Sequence, residues 1–495
     1  MQQCVIAGGG SAGWMAAALL AKVMGHAVRI CLVESEEIGT VGVGEATIPP
    51  ILAFNQVLGI TEREFIQATG GSFKLGIQFE HWGKLGDSYM HAFGEIGAPL
   101  SLLSFHHYWL RAKAAGHASD FWDFSLAYQA AKAGKFANKV NLTGTPFSQF
   151  PYAYHFDASR YALLLRQKAE ALGVQRIEGK IARVEQAQNG DIHALHLADG
   201  QCIVGDFFID CTGFQALLIE QTLQSGYDDW RHWLPCDRAL AVPTKAVTSP
   251  IPFTRAIAHQ AGWQWRIPLQ HRTGNGLVYC SRYLNDADAR DLLISQLDGE
   301  MLAEPRLIQF TTGRRRLQWS HNCLALGLAS GFLEPLESTS LHLIQSGLLR
   351  LIRFFPASAD YADLRAEYNR QSQQEFEQVR DFIILHYHQT ARDDSDFWRS
   401  CRTMPIPATL SRKLAVFRQQ GVVQREPDDV FTELAWQQVL LGQGITPVHC
   451  HPLTAKLSAA QLDELLANLQ QIVQGIVHHL PSHHTSLQQL MSDTR

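Results

Sequence analysis

Apolar positions first gather in an unbroken run, Cys4-Val5-Ile6-Ala7, that stops in glycines. The dense Ala/Leu/Met pattern of a buried helix follows at once over 12–24. An apolar run bounded by glycine is the pattern of a strand buried on both faces, as in parallel sheets. A second strand is predicted over 28–33, closing on Glu34. Strand alternation takes over at Phe73-Lys74-Leu75-Gly76-Ile77-Gln78-Phe79, with one cation among apolar neighbours, and aromatic and histidine residues crowd 88–109. Residues 113–150, rich in Ala, Gly, Lys and Ser, carry no strong period and read as surface. A helical period returns over 160–172. Asn189-Gly190 and Asp199-Gly200, pairs suited to type I′ turns, then punctuate three antiparallel strands over 176–209. The last ends in Phe207-Phe208-Ile209-Asp210, where the chain is expected to rejoin the parallel sheet.

A second sheet is predicted over 235–320. It contains Gly262-Trp263-Gln264-Trp265-Arg266-Ile267-Pro268, whose two indoles share one strand face. An apolar strand at 323–328 enters a Gly/Ser turn, and an amphipathic helix runs on to 355 with Ser338 or Thr339 at its N-cap. The C-terminal third reads as helical. Its clearest element opens on the capping box Ser458-x-x-Gln461 and keeps apolar residues at helical spacing from 462 to 480.

Composition narrows the class. With 46% hydrophobic and 18% charged residues the chain is an ordinary globular protein, and a net charge of −5 offers no field for nucleic acid or an anionic membrane. No apolar run is long enough to span a bilayer, and the first strand begins too early to leave room for a signal peptide, so a cytoplasmic location is expected. Nine cysteines without a C-x-x-C pair read as buried free thiols, and no metal-binding pattern is present. The group His478, His479, His483 and His484 reads as a solvated helix end rather than a metal site.

Chemistry concentrates first at Gly8-Gly9-Gly10-Ser11-Ala12-Gly13. In this G-x-G-x-x-G, Gly8 permits the strand-to-helix turn, Gly10 lets backbone approach a pyrophosphate, and Gly13 brings helix and strand together. Glu34, at the end of the next strand, is placed to accept from a ribose hydroxyl. A dinucleotide is therefore expected at the N-terminus. The glycine-rich loop through Gly42-Val43-Gly44-Glu45-Ala46-Thr47-Ile48-Pro49 suits a flat or phosphorylated ligand.

These features, with W-x-W-x-I-P at 263–268, Phe73-Lys74 and Leu336-Glu337-Ser338-Thr339, resemble the flavin-dependent tryptophan halogenase family over nearly the whole chain. The resemblance implies an α/β fold: an FAD-binding Rossmann-like domain of the monooxygenase type with a β-meander, a second sheet on the substrate side, and a mostly helical C-terminal region. The implied division is a core over 1–345 and a helical region over 346–495. It implies FAD, held as FADH2 by Gly8, Gly10, Ser11, Ala12, Gly13, Glu34, Ala46, Ile181, Leu328 and Leu341. Lys74 and Glu337 are the implied catalytic pair, and the amides of Thr339 and Ser340 the halide site. His91, Phe93, Trp263, Trp265 and Ser338 are the implied pocket or barrier residues. O2 and halide are co-substrates, a separate flavin reductase is the partner, and the protein is a monomer or homodimer.

Two departures from the family pattern bear on this. Ser340 stands where F-x-x-P-x-x-S-x-G has glycine, a substitution that matters if the position needs positive φ. The stretch 429–453 has Trp436 and no tyrosine, whereas enzymes acting on free tryptophan carry tyrosines there. An electron-rich arene such as indole, rather than free tryptophan, is the expected substrate. An aromatic hydroxylase, or a non-catalytic flavoprotein, is the alternative.

Overall fold

The computed structural model describes residues 3–37, 44–100, 102–358, 360–426 and 428–492. They form two units, each built from three separate stretches of chain. The first comprises Met1–Gly71, Phe156–Arg238 and Ile308–Glu377; the second comprises Ser72–His155, Ala239–Leu307 and Gln378–Arg495. The chain passes between units at five points, and residue 345 is not one of them.

The first unit is centred on a sheet in the order Trp319–Ser320, Cys323–Ala325, Phe207–Asp210, Gln3–Ala7, Arg29–Glu34, Gln175–Glu178. Its five long neighbours run parallel, and only Trp319–Ser320 is antiparallel. Burial on both faces explains the unbroken apolar runs. Val5, Ala7, Cys31, Val33 and Phe208 pack with Ile192, Leu195 and Leu197 of a three-stranded antiparallel meander. Three antiparallel strands are present as expected, but over 181–204. Gln175–Glu178 belongs instead to the parallel sheet.

Both expected hairpins form with a different turn. Gly190 and Gly200 have φ of 86° and 91°, whereas Asn189 and Asp199 are not left-handed. Gly190 N–H donates to Ala187 O and Gly200 N–H to Leu197 O, which closes a three-residue loop with glycine at the bulge rather than a type I′ turn.

The second unit contains a sheet of seven strands among the described residues, in which Gly262–Pro268 lies between Arg272–Tyr279 and Thr254–His259. Thr254–His259 pairs in parallel with Gly76–Glu80, and Ser88–Ala92 forms the edge. That edge is capped by Gln438 of the helix Glu433–Gly442, which accepts from Ala92 N–H at 2.9 Å and donates to Ala92 O at 3.0 Å. A sheet edge is thereby closed to further pairing. The capping box at Ser458 and Gln461 is present, and its helix Ala459–His479 packs on Leu126–Lys132.

Residues 113–150 are not simply surface, as their composition implied. Phe121, Trp122, Phe124, Ala127, Ala130 and Phe136 are buried, and Trp122 Nε1 donates to Met90 O at 2.6 Å. Short turns and a seven-residue helix carry these side chains, too brief to register a period. The nine cysteines form no disulfide among the described residues, but Cys202 and Cys450 are exposed rather than buried.

Candidate active site

In the first unit the strand Gln3–Ala7 delivers the glycine turn to the helix Ser11–Met24. Gly8 has φ of 105°, and a Cβ there would strike the Cys211 carbonyl. A Cβ on Gly13 would collide with the Gly8 carbonyl oxygen. Gly10 differs, because the space where its Cβ would stand is open. One glycine thus serves the turn, one the helix–strand approach, and one leaves free volume before the first N–H groups of a helix. Diphosphate fits such a place. Glu34 lies over Gly9, accepts from Trp14 Nε1 at 3.3 Å, and pairs with Arg176 at 2.6 Å. Its carboxylate is thus held at the mouth of the glycine turn, where a ribose hydroxyl would be met.

Gly44, Glu45 and Ala46 are described, whereas Gly42 and Val43 lie outside the described residues. Glu45–Ala46 is a short strand, and burial pushes the Glu45 carboxyl up to about 7. Ile181 opens the first meander strand and packs against the core of that unit.

The stretch bearing Glu337 belongs to the same unit and approaches the glycine turn. Gly327 leaves no room for a Cβ against Ala12, and the helix Ser340–Arg353 packs on Ser11–Met24. Leu328 lies in the short turn Gly327–Ala329, and Leu341 is buried in the first turn of Ser340–Arg353. The turn Pro335–Glu337 is capped by Ser338 in the left-handed region, φ 59°. Ser340 is itself helical, so its position needs no positive φ and serine is accommodated. Thr339 stands at the N-cap with its hydroxyl fully buried, making no cap hydrogen bond and meeting no other partner among the described residues. An unsatisfied donor beside unpaired helix N–H groups is a seat for an anion. Glu337 is 1% exposed.

In the second unit Lys74 ends the strand Ser72–Lys74 at 0% exposure, with Nζ 5.4 Å from the centroid of the Phe93 ring. Fully buried lysines are rare and costly unless a partner or a task holds them. His91 contacts Phe93, Phe382 and Phe431 at 6.5, 5.7 and 6.2 Å between rings, and Phe382 stacks on Phe431 at 3.8 Å. Lys74, Phe93 and His91 are therefore one aromatic-walled group. Trp263 and Trp265 stand 6.1 Å apart on one face, as their spacing requires. Trp263 is packed against Trp82 at 6.3 Å, and Trp265 Nε1 is buried with no partner among the described residues.

Two features of this unit escape sequence reasoning. Asp429, in the stretch without tyrosines, is buried in an ion pair with Lys413 at 3.0 Å, and Lys413 Nζ also stands 4.7 Å from the Trp436 ring. His483 is not part of a solvated helix end: it is buried 2% exposed and bonded on both nitrogens, while His484 is exposed. Among the described residues, no cluster of His, Cys, Asp and Glu could hold a metal ion, and no helix is long and apolar enough to cross a membrane.

A family model described as tryptophan halogenase matches residues 3–459. The tryptophan 7-halogenase RebH of Lentzea aerocolonigenes is 32% identical, with 99% of this chain and 98% of RebH covered. Xcc4156, a flavin-dependent halogenase from Xanthomonas campestris, is 50% identical with a TM-score of 0.95, covering 99% of this chain and 98% of its own. BrvH, a flavin-dependent halogenase from Brevundimonas sp., is 42% identical with a TM-score of 0.96, covering 99% of each chain. A glycine turn with room for a diphosphate, a buried lysine under an aromatic ring, and likeness along the whole length agree: the chain belongs to the flavin-dependent tryptophan halogenase family.

Proposed function

We propose that this enzyme halogenates an uncharged, electron-rich arene of the indole type with chloride or bromide, using FADH2 delivered by a separate reductase. The balanced reaction joins arene, halide, O2, FADH2 and a proton to give aryl halide, FAD and two waters. Bound in reduced form, the cofactor supplies the electrons with which O2 is activated toward halide. Gly8, Gly10, Ser11, Ala12 and Gly13 hold its diphosphate, Glu34 its ribose, and Ala46, Ile181, Leu328 and Leu341 contribute apolar or backbone contacts.

Halide rests on the amides of Thr339 and Ser340, with the Thr339 hydroxyl as a further donor. Lys74 receives the resulting hypohalous acid, either by hydrogen bonding or as a haloamine. Glu337 polarises that oxidant or takes the ring proton after electrophilic attack. Trp263 and Trp265 act by bulk, keeping the arene from the flavin. Ser338, in a strained backbone conformation, sets the direction in which the Thr339 and Ser340 amides point.

The observation that carries this reading is Lys74, an ammonium with no exposed surface seated over an aromatic ring. The preference for a substrate without an amino-acid head rests on Asp429, whose charge is already taken by Lys413. The deciding assay supplies indole or free tryptophan with FAD, a reductase, NADH and bromide or chloride, and reads products by mass spectrometry. Brominated or chlorinated indole is expected, with little product from free tryptophan. Lys74→Ala and Glu337→Gln should lose roughly 100-fold or more in kcat while FAD binding is kept. Purified protein alone should not oxidise NADH. Variants that remain active, or products that never carry halogen, would refute the assignment.

A further inference from the structure

The strand that carries Lys74 is only three residues long, too short for its own hydrogen bonds to fix a side chain. It pairs with Ala153–Phe156, Ser72 opposite His155 and Lys74 opposite Ala153. His155 is therefore the diagonal neighbour of Lys74 on the same face, and the small Ala153 opposite leaves the lysine its room. Phe73 points to the other face, where it stacks on Phe136 at 4.0 Å.

Two buried histidines bound the strand, one on the face of Lys74 and one at its outer edge. Ser72 Oγ donates to Pro268 O at 2.6 Å, which uses its only proton. His155 Nδ1, 3.2 Å from Ser72 Oγ, must then be the donor, leaving Nε2 to accept from Thr254 Oγ1 at 2.9 Å. On the other side Phe73 N–H donates to His483 Nε2 at 3.1 Å, while His483 Nδ1 reaches Pro250 O at 2.7 Å. A carbonyl only accepts and an amide N–H only donates, so His483 too is held as the neutral Nδ1–H form. Burial, then the charge of Lys74, holds the His155 imidazole well below its usual range; burial, offset in part by the Pro250 carbonyl, takes His483 down to about 4. Through Pro268 and Thr254 the same bonds tie the lysine strand to the end of the W-x-W-x-I-P strand and to its neighbour.

We propose that His155 and His483 are positioning residues for Lys74. They are a pair of neutral, single-tautomer imidazoles that fix the Ser72–Lys74 strand, one from the face that carries Lys74 and one from the strand's outer edge. This rests on the reading of Lys74 as the catalytic lysine. The C-terminal helix His483–Ser492 thereby acts in catalysis through one backbone amide, 410 residues away in sequence.

The test measures bromination of indole by the holoenzyme and hydrogen exchange across residues 70–77 in the same variants. His155→Phe and His483→Phe should lower kcat roughly 100-fold with the arene KM little changed, the pattern of a misplaced reacting group. His155→Gln and His483→Gln, whose amides can donate on one side and accept on the other, should recover at least roughly tenfold of that loss. If His155→Phe does not fold, Thr254→Val removes only the hydroxyl on Nε2 and should cost roughly tenfold in kcat. Exchange at the Phe73 amide should rise at least roughly tenfold in His483→Phe and less in His483→Gln. Wild-type kcat and exchange in the Phe and Val variants, or Gln variants no better than Phe, overturn the proposal. Lys74→Ala separates the two readings. If it keeps wild-type turnover, the catalytic reading of Lys74 fails while the exchange data still decide whether the histidines fix the strand. If it is inactive while the histidine variants keep kcat, only the positioning role fails.

Discussion

The three glycines of the N-terminal turn are equivalent in a motif and inequivalent in space. Gly10 has φ of −74° and ψ of −171°, a conformation any residue adopts, and open volume around its missing Cβ. Gly13 has the Gly8 carbonyl oxygen in that place. Gly10→Ala should therefore cost the flavin-free protein no more than about 1 kcal/mol, the difference between glycine and alanine at an N-cap, yet weaken FAD roughly tenfold or more, because the methyl occupies the diphosphate's volume. Gly13→Ala should cost about 1–3 kcal/mol in the flavin-free protein itself. Thermal melts with and without FAD separate the two. A Gly10→Ala melt that falls as far as that of Gly13→Ala would remove the distinction. The turn was legible in the sequence because each glycine answers to a neighbour within a few residues or on the adjoining strand. Ser340 was not: only the backbone reveals that positive φ falls on Ser338, two residues earlier.

Elements with a sustained period were legible, and short ones were not. The helix Ala459–His479 announced itself by a capping box and five turns of spacing. The meander was legible from its turn residues, although asparagine and aspartate next to glycine serve two kinds of loop, and pairing decides between them. Phe121, Trp122 and Phe124 sit in a four-residue turn whose burial no window could detect. Contacts between distant elements were wholly hidden. The helix Ala408–Gln420 holds Lys413 against Asp429 of the following loop, with Lys413 Nζ also donating to Gln424 O at 2.9 Å. Breaking one side of a buried pair strands the other charge, at about 3–5 kcal/mol, whereas replacing both by apolar residues is far less costly. Lys413→Met or Asp429→Leu alone should each destabilise by that amount. The double variant should recover most of it in denaturant unfolding. Additive losses would show that the pair carries no coupling of its own.

At the scale of the whole molecule, the family was legible from a few motifs, but the path of the chain was not. Five passages between two units, each made of three stretches, leave no trace in composition. Nor do the histidines declare which are buried. His106 and His107 are 1% and 4% exposed, and burial, then the neighbouring histidine, takes them down to about 3 and about 4, the Gly421 carbonyl offsetting part of the effect at His106. With His483 at about 4 and His155 held well below its usual range, these four imidazoles stay neutral in the folded chain where the unfolded chain would protonate them. The folded state then binds fewer protons between about pH 4 and the ordinary imidazole pKa of about 6.5. The histidines' contribution to stability is accordingly full above about 6.5 and falls as the pH drops through that window, each group contributing a slope of up to about 1.4 kcal/mol per pH unit, with Glu45, raised to about 7, offsetting one group's share. Chemical unfolding from pH 7.5 to 4.5 should show this as a steepening loss below pH 6.5. His483→Gln, which keeps the donor and acceptor geometry but takes no proton, should flatten it by up to one histidine's share. An unchanged slope in that variant would mean that His483 is already charged in the native protein, and that the amide of Phe73 is held by something else.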